Sequence, residues 1–201
     1  MALYLVRHGE TDWNREKRFQ SRQDVPLNAT GLAQAAAVRD ELRRRGVAFD
    51  MARSSPLGRA VKTAQIILED SAVELVIEPL FIELDFGGFD GRLESELKEE
   101  YGSRFDAWRE SQYTTPPPGG GEDIVSAAVR VQPALDKLLL PATQGDVLVV
   151  AHQAVNMAMK VAISGRQDVK SAATFRQQNY EVDVWDMAAG ARVEQFAVKF
   201  G

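Results

Sequence analysis

Leu3-Tyr4-Leu5-Val6-Arg7-His8-Gly9-Glu10-Thr11 opens as an apolar run with a β-branched residue and an aromatic, then breaks at once into charged and small side chains. An uninterrupted run of this kind reads as a strand buried on both faces, as in a parallel sheet. An arginine and a histidine side by side are an unfavourable way to finish a purely structural element. In open α/β sheets the ligand crevice lies just beyond the carboxyl ends of the strands. His8 is therefore a candidate nucleophile and Arg7 a candidate anion clamp. Asp146-Val147-Leu148-Val149-Val150-Ala151 is a second such run, and it ends at His152 as the first ends at His8. Together they predict an α/β fold: a three-layer sandwich with a mostly parallel central sheet and helices on both faces.

Between these runs the chain alternates helical and extended patterns. A polar, arginine-rich loop spans Asp12 to Asn28, and an Ala-rich helix is predicted from Leu32 to Arg45, capped by Thr30 or Asn28 and stopped by Gly46. A strand over Val47 to Ser54 leads into a helix for which Ser55 is the expected N-cap and Pro56 the first residue. Arg59 then falls in the first turn of a helix that starts at a strand's carboxyl end, a position that already favours anions. Glu74 to Glu78 reads as a short strand. Leu80 to Gly91 mixes acids, aromatics and glycines with no period, as expected of a loop with demanding backbone geometry.

Arg92 to Glu110 reads as two helical pieces broken at Gly102. Thr114 to Gly121, rich in proline and glycine, is expected as a loop near the mouth of a site. Glu122 to Leu139 is a covering helix expected to kink or split at Pro133. A further helix runs from Gln153 to Ile163, stopped by Gly165. The strands Asn179 to Met187 and Ala191 to Lys199 form a predicted hairpin at the sheet edge. No composition shift divides the chain, so residues 1–201 are read as a single domain.

Composition narrows the function classes. The net charge of -5 and the lack of a basic face argue against a nucleic-acid partner, yet a local arginine cluster can still make a positive pocket. With no cysteine, disulfide, thiolate and zinc-thiolate chemistry are excluded. No apolar run approaches membrane-spanning length, and only Met1 and Ala2 precede the first strand, so a cytoplasmic location is the default expectation. His8 and His152 are the only histidines, a poor basis for a metal site.

If the sheet is mainly parallel, Arg7, His8, Arg59 and His152 converge. Two arginines grip a phosphoryl group and neutralise it. A neutral imidazole attacks phosphorus when one ring nitrogen carries a held hydrogen and the other presents its lone pair. The second histidine would stabilise the transferring oxygens. An acid must protonate the departing alkoxide, and the Leu80–Gly91 loop offers Glu83 and Asp85. Metal and other cofactors are not expected, since the cationic side chains occupy magnesium's usual role.

Beyond these residues, Trp13-Asn14, Asp24-Val25-Pro26-Leu27, Gly31 to Ala35, Ser54 to Ala60 with Thr63-Ala64, Glu83-Leu84 with Gly88 and Gly91, Gly120-Gly121-Glu122 and Val149 to His152 occur in a set order. In these blocks the chain resembles the histidine phosphatase superfamily, the phosphoglycerate mutase-like or RHG family. The resemblance implies that His8 becomes phosphohistidine, that Arg7, Arg59 and His152 form the phosphate pocket, that Asn14 and Gln20 assist as neutral donors, and that Glu83 is the proton donor. Ser21 stands where the family more often has glycine and joins the expected substrate-binding positions. Gln153-Ala154 replaces a frequent glycine after the second histidine and is similar to the fructose-2,6-bisphosphatase branch, with the Gln153 amide expected on a substrate oxygen. Asp123 replaces a frequent serine.

The expected function is metal-independent hydrolysis of a small phosphomonoester, possible substrates including a sugar phosphate or bisphosphate. The alternatives are a cofactor-dependent phosphoglycerate mutase, sharing the first step, and a non-catalytic binding module. Trp13, Arg18, Arg22, Trp108, Tyr113 and Pro116 to Pro118 are candidates for the mouth of the site. The terminal hairpin offers an edge strand, so a homodimer is an open expectation.

Overall fold

A computed structural model describes residues 1–139, 145–165 and 172–200. Six strands form one sheet: β1 (Ala2–Arg7), β2 (Phe49–Ser54), β3 (Leu75–Ile77), β4 (Asp146–Ala151), β5 (Glu181–Asp186) and β6 (Ala191–Ala197), in the order β3-β2-β4-β1-β5-β6. The first four run parallel, and β5 and β6 add an antiparallel hairpin beside β1. The α/β sandwich is as expected from the two apolar runs, with β1 and β4 paired at its centre.

Period-two alternation explains why those runs are unbroken. Leu3, Leu5, Val147, Val149 and Ala151 pack into one core with α6 (Ile124–Leu138) and α7 (Gln153–Ser164). Val6, Leu148 and Val150 pack into the other with α2 (Ala29–Arg44) and α3 (Gly58–Ile67). Both faces being buried, every position must be apolar. A third cluster, Phe89, Leu97, Phe105 and Trp108, lies under α4 (Glu94–Tyr101) and α5 (Ser103–Ser111), which break at Gly102 as expected. A short α1 (Asp12–Arg15) follows β1, capped by Thr11.

Several boundaries differ from the sequence-based expectations. Helix α2 starts three residues earlier than predicted because Asn28 caps it, accepting from the Gly31 amide at 2.9 Å. Ser55 does not cap α3. That helix begins at Gly58, whose amide donates instead to Asp24 Oδ2 at 2.9 Å. Helix α6 is not split at Pro133; it starts after Asp123, whose side chain accepts from the Ser126 amide. The third strand shrinks to three residues, and both hairpin strands are shorter than predicted. The Thr114–Gly121 loop is tied down at Thr115, whose carbonyl accepts from Trp108 Nε1 at 3.2 Å, and Glu122 just beyond it donates its amide to Asp85 O at 2.7 Å.

Register places the site. Arg7 pairs with Ala151 and Ser54 with Val150, so β1, β4 and β2 end at one level. The ladder then continues one bond further on each side, from His8 N to Ala151 O at 2.9 Å and from Ser55 N to Val150 O at 3.0 Å. His8, His152 and Ser55 therefore emerge as neighbours at the carboxyl edge.

Candidate active site

His8 is buried, and its Nδ1 lies 2.7 Å from its neighbour's carbonyl, Gly9 O. A carbonyl only accepts, so Nδ1 carries the hydrogen and Nε2 presents a lone pair. The backbone around it is pinned at both ends. Asn179 Nδ2 donates to His8 O at 2.7 Å, and the Gly9 amide donates to Thr63 Oγ1 at 3.1 Å. Gly9 also crosses Gly31 so closely that a Cβ on either would lie under 2.5 Å from the other segment's backbone oxygen.

The His152 ring lies 5.0 Å from that of His8, tilted by 60°. Its Nε2 is 2.7 Å from Ser55 Oγ and its Nδ1 has no partner among the described residues. Ser55 is thus drawn to the second histidine, which accounts for its failure to cap α3. Burial, the nearby arginines Arg59 and Arg7, and for His152 also His8, hold both imidazoles well below the ordinary histidine range. Both are neutral at physiological pH in the absence of an anion.

Arg59 projects from the first turn of α3, where its Nη1 and Nη2 donate to Gln23 O at 2.6 Å and Ser21 O at 2.7 Å. Arg7 Nη1 donates to Gln177 O at 3.0 Å. Burial lowers both guanidinium groups, Arg7 to about 10, so both stay charged at neutral pH. Glu83 accepts from the first free amides of α7, with Val155 N at 2.8 Å and Ala154 N at 3.2 Å, and from Leu84 N at 2.9 Å. Those donors favour the carboxylate, yet burial outweighs them and its pKa is raised.

Arg7, His8, Asn14, Gln20, Glu83 and Gln153 share the wall of one cavity of about 470 Å³. Asn14 Nδ2 and Thr11 Oγ1 both donate to Gln20 Oε1, at 3.3 and 2.9 Å, and the buried Gln20 amide nitrogen has no partner among the described residues. Arg59 and His152 are buried beside the cavity.

Ser21 sits elsewhere than its reading as a substrate-binding residue requires. Its hydroxyl donates to Leu84 O at 2.7 Å and accepts from Phe86 N at 3.1 Å. With its carbonyl on Arg59, Ser21 links the loop that holds this arginine to the loop that carries Glu83. Asp85 turns to the Gly87 amide and to Arg22 at the half-exposed surface. Of the mouth candidates, Arg18, Trp108 and Tyr113 line the cavity, whereas Trp13, Arg22 and the three prolines do not. Ser55, Gln177 and Asn179 were not foreseen as site residues. Only Ser55, inside the Ser54–Ala60 block, carried a signal.

Four buried side-chain atoms without a partner among the described residues, Arg7 Nε, Gln20 Nε2, Arg59 Nε and His152 Nδ1, belong to this one cluster. Buried polar atoms are normally satisfied, and a set able to donate, with two guanidinium charges, is what a bound tetrahedral anion would complete.

The chain matches the histidine phosphatase superfamily (branch 1) over residues 3–197, and it belongs to that family. It is accordingly an enzyme of the phosphatase class. A 2,3-bisphosphoglycerate-dependent phosphoglycerate mutase of Parvibaculum lavamentivorans is 35% identical over 156 residues, spanning 75% of this chain and 73% of that protein. Among solved structures, an alpha-ribazole phosphatase from Shigella flexneri superposes with a TM-score of 0.82 at 26% identity, covering 100% of this chain and 95% of that one. A mycobacterial glucosyl-3-phosphoglycerate phosphatase in complex with VO3 gives 0.82 at 27% identity, covering 91% of each chain.

Proposed function

We propose that the protein hydrolyses phosphomonoesters through a phosphohistidine on His8, with no metal or other cofactor. The observation that carries this reading is the lone pair of His8 Nε2, freed by the Nδ1 hydrogen bond to Gly9, at a site where buried polar atoms of Arg7, Gln20, Arg59 and His152 lack partners among the described residues. The lone pair attacks phosphorus while the ester P–O bond breaks, and Glu83 gives its proton to the departing alcohol oxygen. The guanidinium groups and the His152 N–H hold the equatorial oxygens as charge spreads over them. A water then attacks the phosphohistidine, Glu83 takes one of its protons, inorganic phosphate leaves, and His8 returns to the neutral form. The Gln153 amide, on the cavity wall, contacts a substrate oxygen.

Turnover of an aryl phosphate that persists in EDTA, vanishes in His8→Ala and leaves an acid-labile phosphoryl group on the wild-type chain is the expected result. Turnover abolished by EDTA or retained by His8→Ala would count against the mechanism. Likeness to a phosphoglycerate mutase carries a second reading, in which a phosphoglycerate rather than water accepts the phosphoryl group. Supplying 3-phosphoglycerate with 2,3-bisphosphoglycerate separates the two: hydrolysis releases phosphate, whereas a mutase accumulates 2-phosphoglycerate. An absence of labelling from every donor would leave the binding module.

A further inference from the structure

The cavity is much larger than a phosphate needs, and beside the phosphate pocket its lining includes an apolar wall set among polar side chains. At about 470 Å³ it falls in the range of sites that enclose drug-sized molecules. Phe19, Leu84, Phe86, Trp108, Tyr113 and Met157 all line it. The rings of Phe19 and Phe86 meet edge to face at 5.9 Å, and Phe19 lies 5.9 Å from Trp108, so this wall is braced by the aromatic cluster under α4 and α5. Leu84 directly follows the proposed proton donor. Met157 lies one turn along α7 from Ala154, whose amide holds Glu83. The wall therefore shares one cavity with the residue proposed to protonate the leaving alcohol.

Several polar side chains along this part of the cavity are already engaged with the protein. Arg109 pairs with Glu94 at 2.9 Å, Gln112 Nε2 donates to Arg109 O at 2.6 Å, Glu122 pairs with Arg130 at 2.7 Å, and Trp108 Nε1 donates to Thr115 O. Lys17 and Arg176 line the cavity too, but both are exposed, where solvent weakens a charge's grip. A substrate with a second anionic group or many hydroxyls would give up hydration against Phe19, Phe86 and Met157 with little in return.

From this wall we infer that the leaving alcohol carries an aromatic or similarly bulky apolar body, and that the site selects for it over short, charged alcohols. The inference rests on the hydrolase reading above and deepens it. Phe19 and Phe86 supply ring faces for offset or edge contact, and Leu84 and Met157 close the sides.

The test compares 2-phenylethyl phosphate with propyl phosphate, both esters of primary alcohols of similar leaving ability, and with 3-phosphoglycerate. The expected ratio of kcat/KM for phenylethyl over propyl is about tenfold or more, the order given by burying one ring. Phe86→Gln should collapse that ratio toward one, while Phe86→Leu, which keeps apolar volume, should retain most of it. Calorimetry with 2-phenylethylphosphonate and propylphosphonate reads the wall without turnover. A phosphonate preference with no hydrolysis supports the wall while overturning the hydrolase reading. Equal phosphonate affinities, a ratio near one, or faster turnover of 3-phosphoglycerate than of either ester would overturn the inference.

Discussion

Glu83 carries two opposed influences, three amide donors that favour its charge and a buried setting that opposes it, and burial wins. A carboxyl whose pKa is raised holds its proton further toward neutrality, so the acid form is present at lower pH and lost as pH rises through the raised value. The alkaline limb of kcat/KM should therefore report Glu83. Glu83→Gln should abolish that limb and slow alkyl phosphates by roughly 10²–10⁴, the usual range for a general acid. Esters of good leaving groups should lose much less, and a pH–rate series on both substrate types checks this. Ser21 gives a contrasting case. Because its hydroxyl bridges Leu84 O and Phe86 N, Ser21→Ala leaves two inner backbone groups short of a partner and should cost about 1–3 kcal/mol in urea unfolding. A residue that touched substrate alone would leave the unfolding midpoint unmoved and raise KM instead.

At the scale of elements, the first loop and α2 cross backbone against backbone at Gly9 and Gly31, and Gln34 of α2 accepts from the Glu10 amide at 2.8 Å. A Cβ on Gly31 would stand 2.1 Å from Glu10 O, a contact that no rotamer can relieve. Gly31→Ala should therefore destabilise by roughly 1–3 kcal/mol or more, as overpacking does, although alanine favours helices elsewhere; thermal unfolding beside an exposed glycine-to-alanine control would show the difference. This crossing also indicates what the residues alone made legible. The apolar runs ending at His8 and His152 gave the sheet centre and two pocket residues, because burial on both faces leaves a plain trace in the side chains. Arg59 was legible from its place after a strand. Glu83 needed the family resemblance, since nothing local separates it from Asp85; what distinguishes them is the α7 amides, seventy residues away in the chain. The roles of Ser21, Gln177 and Asn179 are hydrogen bonds across the fold, with no local pattern to announce them.

The molecule as a whole has an acid liability at its most buried point. Both histidines are held well below the ordinary range. The unfolded chain therefore takes up protons near pH 6.5 that the folded chain refuses. The stabilising contribution is present above the unfolded value and is lost as pH falls toward the folded one, so the melting temperature should drop on acidification from about pH 7. Phosphate or vanadate should blunt the drop if the anion favours a charged His152, and His8→Asn with His152→Asn should flatten the slope. Calorimetry across pH measures both effects.

Strand β1 finds β4 144 residues further along, and β5, later still, closes its other side. Arg7 and His8 are then held by Gln177 O and Asn179 Nδ2. On a ribosome Arg7 and His8 leave the exit tunnel long before Gln177 and Asn179, which hold them. A growing chain therefore carries Arg7 and His8 with neither strand partner in place until β4 and β5 follow, and the pocket is completed as a late event. That order leaves the carboxyl edge of β1 unassembled until the later strands are made. It also places the slow, non-local step of folding at the same edge as the chemistry.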